Sequence, residues 1–435
     1  MINLFVTLIS SVLFANTEAK ASDFETVWRA IEVRSPSLKS EISEKEASDI
    51  QVSRAKRHWL PRLMVNANVV STNDPGTTLF STLGSRSLLA SDLNPSLMND
   101  PSRQWFKRGA ATLDWTLFEG GAKQSLVKGS ASVNESHALS MAAKKNEIYS
   151  ELVSDFGKLA SLNSERMGLI ELKEKLSKLV ERYKVGSRDN PVGYSGLLGM
   201  RSLLNRLDST LSQNQMESSA LLDALHIRSG IDPLDLKMTS LTDAFEFTKE
   251  KFKKLKSDPQ GSSIRVESMR RMATAQAAFS QAERARWLPR VGLFANENVI
   301  VGPRDTGTAT EFGAYLQWEL FNASHFGAYR EASLRSMAFE HRSNEMAENS
   351  MIARRSLRSS LPMLEENLKR MRESMKITSE QVLVTEKLFR NGSVNALQLA
   401  EVLSRRADVI ENQKQIEITL VSQLTEDFLQ NVRVP

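Results

Sequence analysis

The 435-residue sequence predicts a mainly α-helical, internally duplicated chain in which each half carries one membrane-type β-hairpin. Three observations predict it. Trp59-Leu60-Pro61-Arg62 recurs as Trp287-Leu288-Pro289-Arg290, each copy after an Ala/Arg-rich run and before an alternating one. Leu113-Asp114-Trp115-Thr116-Leu117-Phe118 returns as Leu316-Gln317-Trp318-Glu319-Leu320-Phe321. Behind each of these lies a helical stretch of about 60 residues, on the order of 90 Å if continuous, longer than a globular domain needs.

Composition narrows the class. Apolar residues make up 41% and charged ones 25%, inside the globular range. Aromatics are few, at 7%, which suits long helices better than a thick mixed core. The absence of cysteine excludes disulfides, thiolate metal sites and cysteine nucleophiles, and it allows an oxidising compartment. A net charge of +5 from interspersed charges is the pattern of solvated helix faces, not of a nucleic-acid stripe.

Leu4 to Phe14 is apolar, and Ala19-Lys20-Ala21 has the A-x-A form of a cleavage site, so residues 1–21 are expected to be an export signal. Met1-Ile2-Asn3 lacks the usual basic residue, and a buried N-terminal helix is the competing reading. No cysteine follows to carry a lipid anchor. No later run of about 18 apolar residues marks a transmembrane helix, yet a closed β-barrel needs none.

The first repeat is expected over 22–240. Ser22-Asp23 is placed to cap a helix to about Val33, and Pro36-Ser37 restarts the chain as a helix to His58. Pro61 ends it by removing a backbone donor. A β-hairpin over 62–118 follows. Leu63, Val65, Ala67 and Val69 alternate with Met64, Asn66, Asn68 and Val70, as on a strand between lipid and water. Ser71 to about Lys107 is rich in Ser, Asn, Asp, Pro and Gly and reads as a loop. Ala111, Leu113, Trp115 and Leu117 then alternate with Ala110, Thr112, Asp114 and Thr116, until Glu119-Gly120-Gly121 breaks the strand.

A long helical hairpin is expected over 122–230. Leu169, Leu172, Leu176, Leu179 and Tyr183 step by three and four, a coiled-coil seam. Val185-Gly186-Ser187 to Gly196 reads as the turn, and Leu197, Met200, Leu204, Leu207 and Leu211 as the return helix. Gly230-Ile231-Asp232-Pro233 closes the half. Residues 241–261 read as a linker with Lys249, Lys251, Lys253, Lys254 and Lys256, facing either an anionic surface or simply solvent.

The second repeat, 262–435, keeps the plan. Ser262 to Arg286 is helical, and a hairpin is expected over 290–321. Val291, Leu293 and Ala295 form its first strand, Gly302 to Gly307 its turn, and Phe312, Ala314, Leu316, Trp318 and Leu320 its second strand. A helical hairpin follows over 325–430. Its seam includes Leu361, Leu364, Leu368, Met371 and Met375, and Pro362 is expected to kink or unwind it. Asn391-Gly392-Ser393 turns the chain, and Val402, Val409 and Ile416 place the return helix.

Four strands cannot close a barrel, because single-chain membrane barrels need at least about eight. Nor can they lie open in lipid with unpaired edges. A cyclic homotrimer would supply twelve strands and seal every edge. Asn66, Asn68, Asp114, Thr116, Gln317 and Glu319 would then face the water-filled lumen.

This duplicated helix–Pro–strand–loop–strand–Gly–long-helix–Gly-turn–helix plan resembles the TolC-like outer-membrane efflux proteins over nearly the whole mature chain. The two Trp-Leu-Pro-Arg motifs look like the family's strand entries. Leu117-Phe118-Glu119-Gly120-Gly121 looks like its strand exit, although Asn322-Ala323-Ser324 replaces the glycine pair in the second half. Tyr183 to Arg188 and Phe389 to Ser393 look like its hairpin tips. The resemblance implies a trimeric twelve-stranded barrel in outer-membrane lipid above a long periplasmic α-barrel. It also implies a periplasmic adaptor and an inner-membrane pump as partners.

Family adaptors dock at the tips, so Val185, Gly186, Ser187, Asn391, Gly392 and Ser393 are contact candidates; the two glycines equally well serve only to turn a hairpin. Family members close the periplasmic end with residues that correspond here to Gln398 and Glu401. Glu401 either forms an axial carboxylate ring or is an ordinary solvated residue. Tyr183, Arg188 and Asp189 are candidates for hydrogen bonds that hold the gate shut.

Catalytic chemistry is absent from the sequence. His58, His137, His226, His325 and His341 are scattered without metal-ligand spacing. No phosphate-binding loop and no G-x-S-x-G nucleophile occurs. The expectation is a passive export duct of a tripartite pump or type I secretion system, with no cofactor, no metal and no nucleic-acid partner. The alternative is a soluble periplasmic coiled-coil adaptor or envelope spacer.

Overall fold

The computed structural model describes residues 24–183, 191–232, 243–253 and 263–431. In chain order these form α1 (Phe24–Arg34), α2 (Pro36–Arg57), β1 (Arg62–Thr72), α3 (Pro75–Gly84), α4 (Pro95–Asn99), β2 (Gln104–Glu119), α5 (Ala122–Arg182), α6 (Pro191–Ser229), α7 (Ala244–Lys253), α8 (Ile264–Ala285), β3 (Arg290–Val301), β4 (Thr306–Gln317), α9 (Ala328–Arg390) and α10 (Ala396–Asn431). Short 3-10 turns lie at Ala90–Leu93 and Ala323–His325. The expected export signal falls outside the described residues.

Two compact units divide the chain. One comprises Met1–Ser40, Ala142–Ile264 and Glu348–Pro435; the other comprises Glu41–Met141 and Arg265–Ala347.

The second unit holds an antiparallel sheet in the order β1-β2-β3-β4. β1–β2 and β3–β4 are hairpins, and Gly120 and Gly121 end β2 with φ of +60° and +86°, a conformation that suits glycine. Two expectations need correction. Ser71–Lys107 is not simply a loop: α3 and α4 form in it, each capped by a side chain, Asp74 accepting from Thr77 N and Asn94 from Ser96 N. The Asp and Asn of this loop-like composition cap the two helices, and its Thr and Ser supply the buried face of α3. In the second half β4 ends at Gln317, so Trp318, Glu319 and Leu320 lie beyond it. The chain there turns through Asn322, whose side chain accepts from Ser324 N, and through Gly327 at φ +87° before α9 begins.

The first unit is helical. Leu169, Leu172 and Leu176 of α5 join Met200, Leu203 and Leu207 of α6 and Leu399, Leu403, Ala407 and Ile410 of α10 in one buried cluster. Leu179, Tyr183, Leu204 and Leu211 pack at its margin. On α10 the buried row is Ala396, Leu399, Leu403, Ala407 and Ile410; the expected Val402, Val409 and Ile416 are only half-buried beside it. Seven-residue spacing alone does not fix which row faces inward when Leu and Ala recur beside β-branched residues. The α9 helix runs unbroken through Pro362, so no turn unwinds there.

Two further corrections concern helix boundaries. Because α6 starts at Pro191, Gly196 lies inside a helix and not in the turn. The expected linker contains α7, and Lys251 on it is buried, with Nζ 2.9 Å from Glu25 and 4.3 Å from the Phe24 ring centroid. It therefore faces neither an anionic surface nor solvent, while Lys254 and Lys256 lie outside the described residues. Phe24 also meets the Tyr149, Phe156 and Phe247 rings edge-on, at 5.6, 5.2 and 5.7 Å. That contact holds α1 to α5 and α7, since edge-on aromatic pairs add to area burial.

Candidate functional site

The strand register sorts the sheet into two faces. Directly opposed residues of antiparallel strands share a face. Asn66 pairs with Ala110, Asn68 with Arg108 and Arg62 with Asp114; Thr112 pairs with Asn296 and Thr116 with Gly292; Gln317 pairs with Arg290. One face therefore gathers Asn66, Asn68, Arg108, Thr112, Asp114, Thr116, Asn296, Tyr315 and Gln317. Its side chains interlink: Tyr315 Oη donates to Asp114 at 2.9 Å and lies 3.2 Å from Thr116 Oγ1, and Thr112 Oγ1 donates to Asn296 at 3.0 Å. Glu319, expected on this face, lies past the strand and accepts from Asn322 Nδ2 at 2.8 Å.

The opposite face carries Leu63, Val65, Val69, Trp105, Leu113, Trp115, Leu293, Phe312 and Leu316, all exposed. An exposed apolar patch of this size marks an interaction surface. Trp115 Nε1 donates to Trp59 O at 2.8 Å, and Trp318 Nε1 donates to Trp287 O at 3.1 Å. The duplicated motif thus makes the same clamp twice, with one tryptophan holding the carbonyl of the other ahead of the Leu-Pro step. Sequence reasoning saw both motifs but not this bond, which needs the hairpin folded.

The helical tip lies in the first unit. At the end of α9, Gly392 N donates to Phe389 O at 3.1 Å and Ser393 N to Leu388 O at 2.9 Å, with Gly392 at φ +75°. This is a Schellman turn, which satisfies the last carbonyls of the helix. Asn395 then caps α10. Its Oδ1 accepts from Gln398 N, and Gln398 Oε1 accepts from Asn395 N, both at 2.9 Å. Gln398 is thereby tied into a capping box. Glu401 is exposed and paired with Arg405 at 2.6 Å. Tyr183 stacks obliquely on Phe389, centroids 5.7 Å apart. A cleft of about 650 Å³ opens beside them, lined by Lys178, Arg182, Tyr183, Phe389, Gly392 and Val394. Val185, Gly186, Ser187, Arg188 and Asp189 lie outside the described residues.

A buried polar layer went unforeseen. Glu165 of α5 meets Lys414 of α10 at 3.0 Å and accepts from Asn214 Nδ2 of α6 at 2.8 Å. Nearby on α10, Glu417 is buried and accepts from Gln413 Nε2 at 2.9 Å. Burial pushes its carboxyl above the ordinary 4.5; hydrogen bonds from Gln413 and Ser161 and the charge of Arg372 only partly oppose this, and Asp243 adds to it. A raised folded-state value means stability is fully present below pH 4.5 and is lost as pH rises through the folded value. Glu417→Gln is expected to raise the melting temperature at pH 7.5 and to leave it little changed at pH 4. Equal gains at both pH values in circular-dichroism melts would contradict this.

No family model matches the sequence, and no curated protein matches it. Solved structures do. The outer membrane protein VceC of Vibrio cholerae superposes with a TM-score of 0.76 at 13% identity, over 94% of this chain and 96% of that one. The Campylobacter jejuni CmeC outer membrane channel gives 0.75 at 12% identity, over 99% and 93%. The open state of the Neisseria gonorrhoeae MtrE outer membrane channel gives 0.75 at 11% identity, over 99% and 95%. The chain has the TolC-like fold.

Proposed function

We propose that this chain is one of three identical subunits of an outer-membrane efflux duct, serving a tripartite pump or a type I secretion system. The observation that carries this reading is the sheet. Among the described residues, β1 and β4 each pair on one side only, and one sheet face is apolar and exposed. In lipid such edges must be sealed. Three copies seal them edge to edge and turn the apolar face to hydrocarbon, leaving Asn66, Asn68, Asp114, Thr116 and Gln317 along a wet lumen. The likeness to outer-membrane channels supports the same assembly.

Cargo moves through that lumen without meeting hydrocarbon, and the driving energy comes from an inner-membrane pump through a periplasmic adaptor. The adaptor docks at the tips, at Asn391, Gly392 and Ser393 and at Val185, Gly186 and Ser187. A Cβ on Gly392 would meet nothing within 4 Å, which leaves its backbone open to a partner. The gate closes around Glu401, with Tyr183, Arg188 and Asp189 as its bracing groups and Gln398 holding the first turn of α10.

Planar-bilayer recordings test this. The purified protein is expected to conduct as a trimer, and Glu401→Ala to lower its cation preference severalfold, because carboxylate rings select cations. Arg405→Ala, which frees the Glu401 charge, is expected to act in the opposite sense. Unchanged selectivity in both variants removes Glu401 from the gate; a non-conducting, water-soluble monomer removes the duct.

A further inference from the structure

The α3 helix is inverted. Its buried residues are Thr78, Ser81 and Thr82, at 7, 2 and 4% exposure, whereas Phe80 and Leu83 are 71 and 54% exposed. A surface helix ordinarily buries its apolar stripe and shows its hydroxyls. Here the hydroxyl side is held against the sheet. Arg108 Nη2 donates to Ser81 Oγ at 2.7 Å, and Arg86 Nη2 donates to Thr308 O at 2.7 Å. Arg304 pairs with Asp92 at 2.8 Å. A Cβ on Gly307 would run into Gly84 O, so the end of α3 rests directly on β4 backbone.

The face it rests on is the polar one. Arg108 shares that face with Asn68 and Ile300, and Gly307 pairs with Ile300. Phe106, on the same face, is fully buried. Phe80 and Leu83 therefore project away from the wall on the side that trimer closure would make the lumen.

Size decides what they meet there. Twelve strands about 4.8 Å apart and tilted about 40° enclose a cylinder about 24 Å across. A helix with its side chains is about 10–12 Å wide, so one lying on the wall reaches the axis. Resting on the proposed trimeric duct, we infer that the three α3 helices converge near the β3–β4 end of the barrel, where Phe80 and Leu83 of each copy pack against the other copies as an apolar plug. An apolar constriction of this kind excludes water and ions.

The chain contains no cysteine, which makes the test clean. Phe80→Cys in the otherwise intact protein is expected to give disulfide-linked dimers under copper–phenanthroline. Phe80→Ser/Leu83→Ser is expected to form the same trimer and conduct severalfold more than the unmodified protein in planar bilayers. Both side chains are exposed in the single chain, so neither change disturbs its core. Absence of the cross-link, or unmodified conductance in the double variant, overturns the plug. Absence of any trimer or conductance from the unmodified protein overturns the duct itself, a separate outcome.

Discussion

Replacing Lys414 with methionine is expected to destabilise the helical unit by about 3–5 kcal/mol, the usual cost of breaking a buried ion pair from one side. Glu165 is 2% exposed, and the Lys414 side chain 16%. Lys414 Nζ stands 3.0 Å from Oε1, and Asn214 Nδ2 stands 2.8 Å from both Oε2 and Leu162 O. Take the ammonium away and a buried carboxylate is left without its counter-charge, which costs free energy. The neighbouring Asn214 amide cannot replace a full charge. If this account is right, the double variant Glu165→Leu/Lys414→Met recovers most of the loss, because removing both partners also removes the desolvation penalty. Thermal melts of the single and double variants give the coupling directly. A single variant that melts with the unmodified protein would mean that water reaches the pair and screens it.

That layer is also where sequence reading fails, and the reason is physical. Strands with one apolar and one polar face must alternate, so Leu63–Val70 and Ala111–Leu117 were legible without any structure. The three-four steps of Leu169, Leu172 and Leu176 were legible for the same reason, since a seam shows itself in its spacing. Glu165, Asn214 and Lys414 carry no such mark. Each looks like one more charged or amide residue on a solvated helix face, and only the approach of three helices makes them a cluster. The α3 insert hides in the opposite way: its buried side is made of Thr and Ser, residues that composition assigns to loops. At Trp318 and Glu319 the alternation continues in the sequence after the ladder has ended, so periodicity extended the strand too far. Tip residues fare unevenly. Gln398 was singled out by resemblance to a gate position, whereas its local geometry is that of a helix cap.

Gly196 is expected to be the most substitution-sensitive residue of the tip. In a helix interior glycine costs about 1 kcal/mol relative to alanine, so packing must supply the reason for it. On Gly196 a Cβ would lie 2.7 Å from Leu397 N and closer still to the Ala396 side chain. These are backbone and first side-chain atoms of α10, which cannot swing aside. Gly196→Leu must therefore push α6 from the first turn of α10, and overpacking of this kind costs about 1–3 kcal/mol or more. The displaced turn lies between the Schellman turn at Gly392 and Glu401 on the next turn of α10, so in the proposed duct altered conductance is expected with the lower melting temperature. Gly199, three residues on, supplies the contrast. Its Cβ would meet Ala400 at an ordinary 3.7 Å. Gly199→Ala is expected to stabilise α6 by up to about 1 kcal/mol through helix propensity alone. Opposite shifts in melting temperature at these two positions are the signature of helix contact at Gly196; equal shifts would leave only backbone propensity at work.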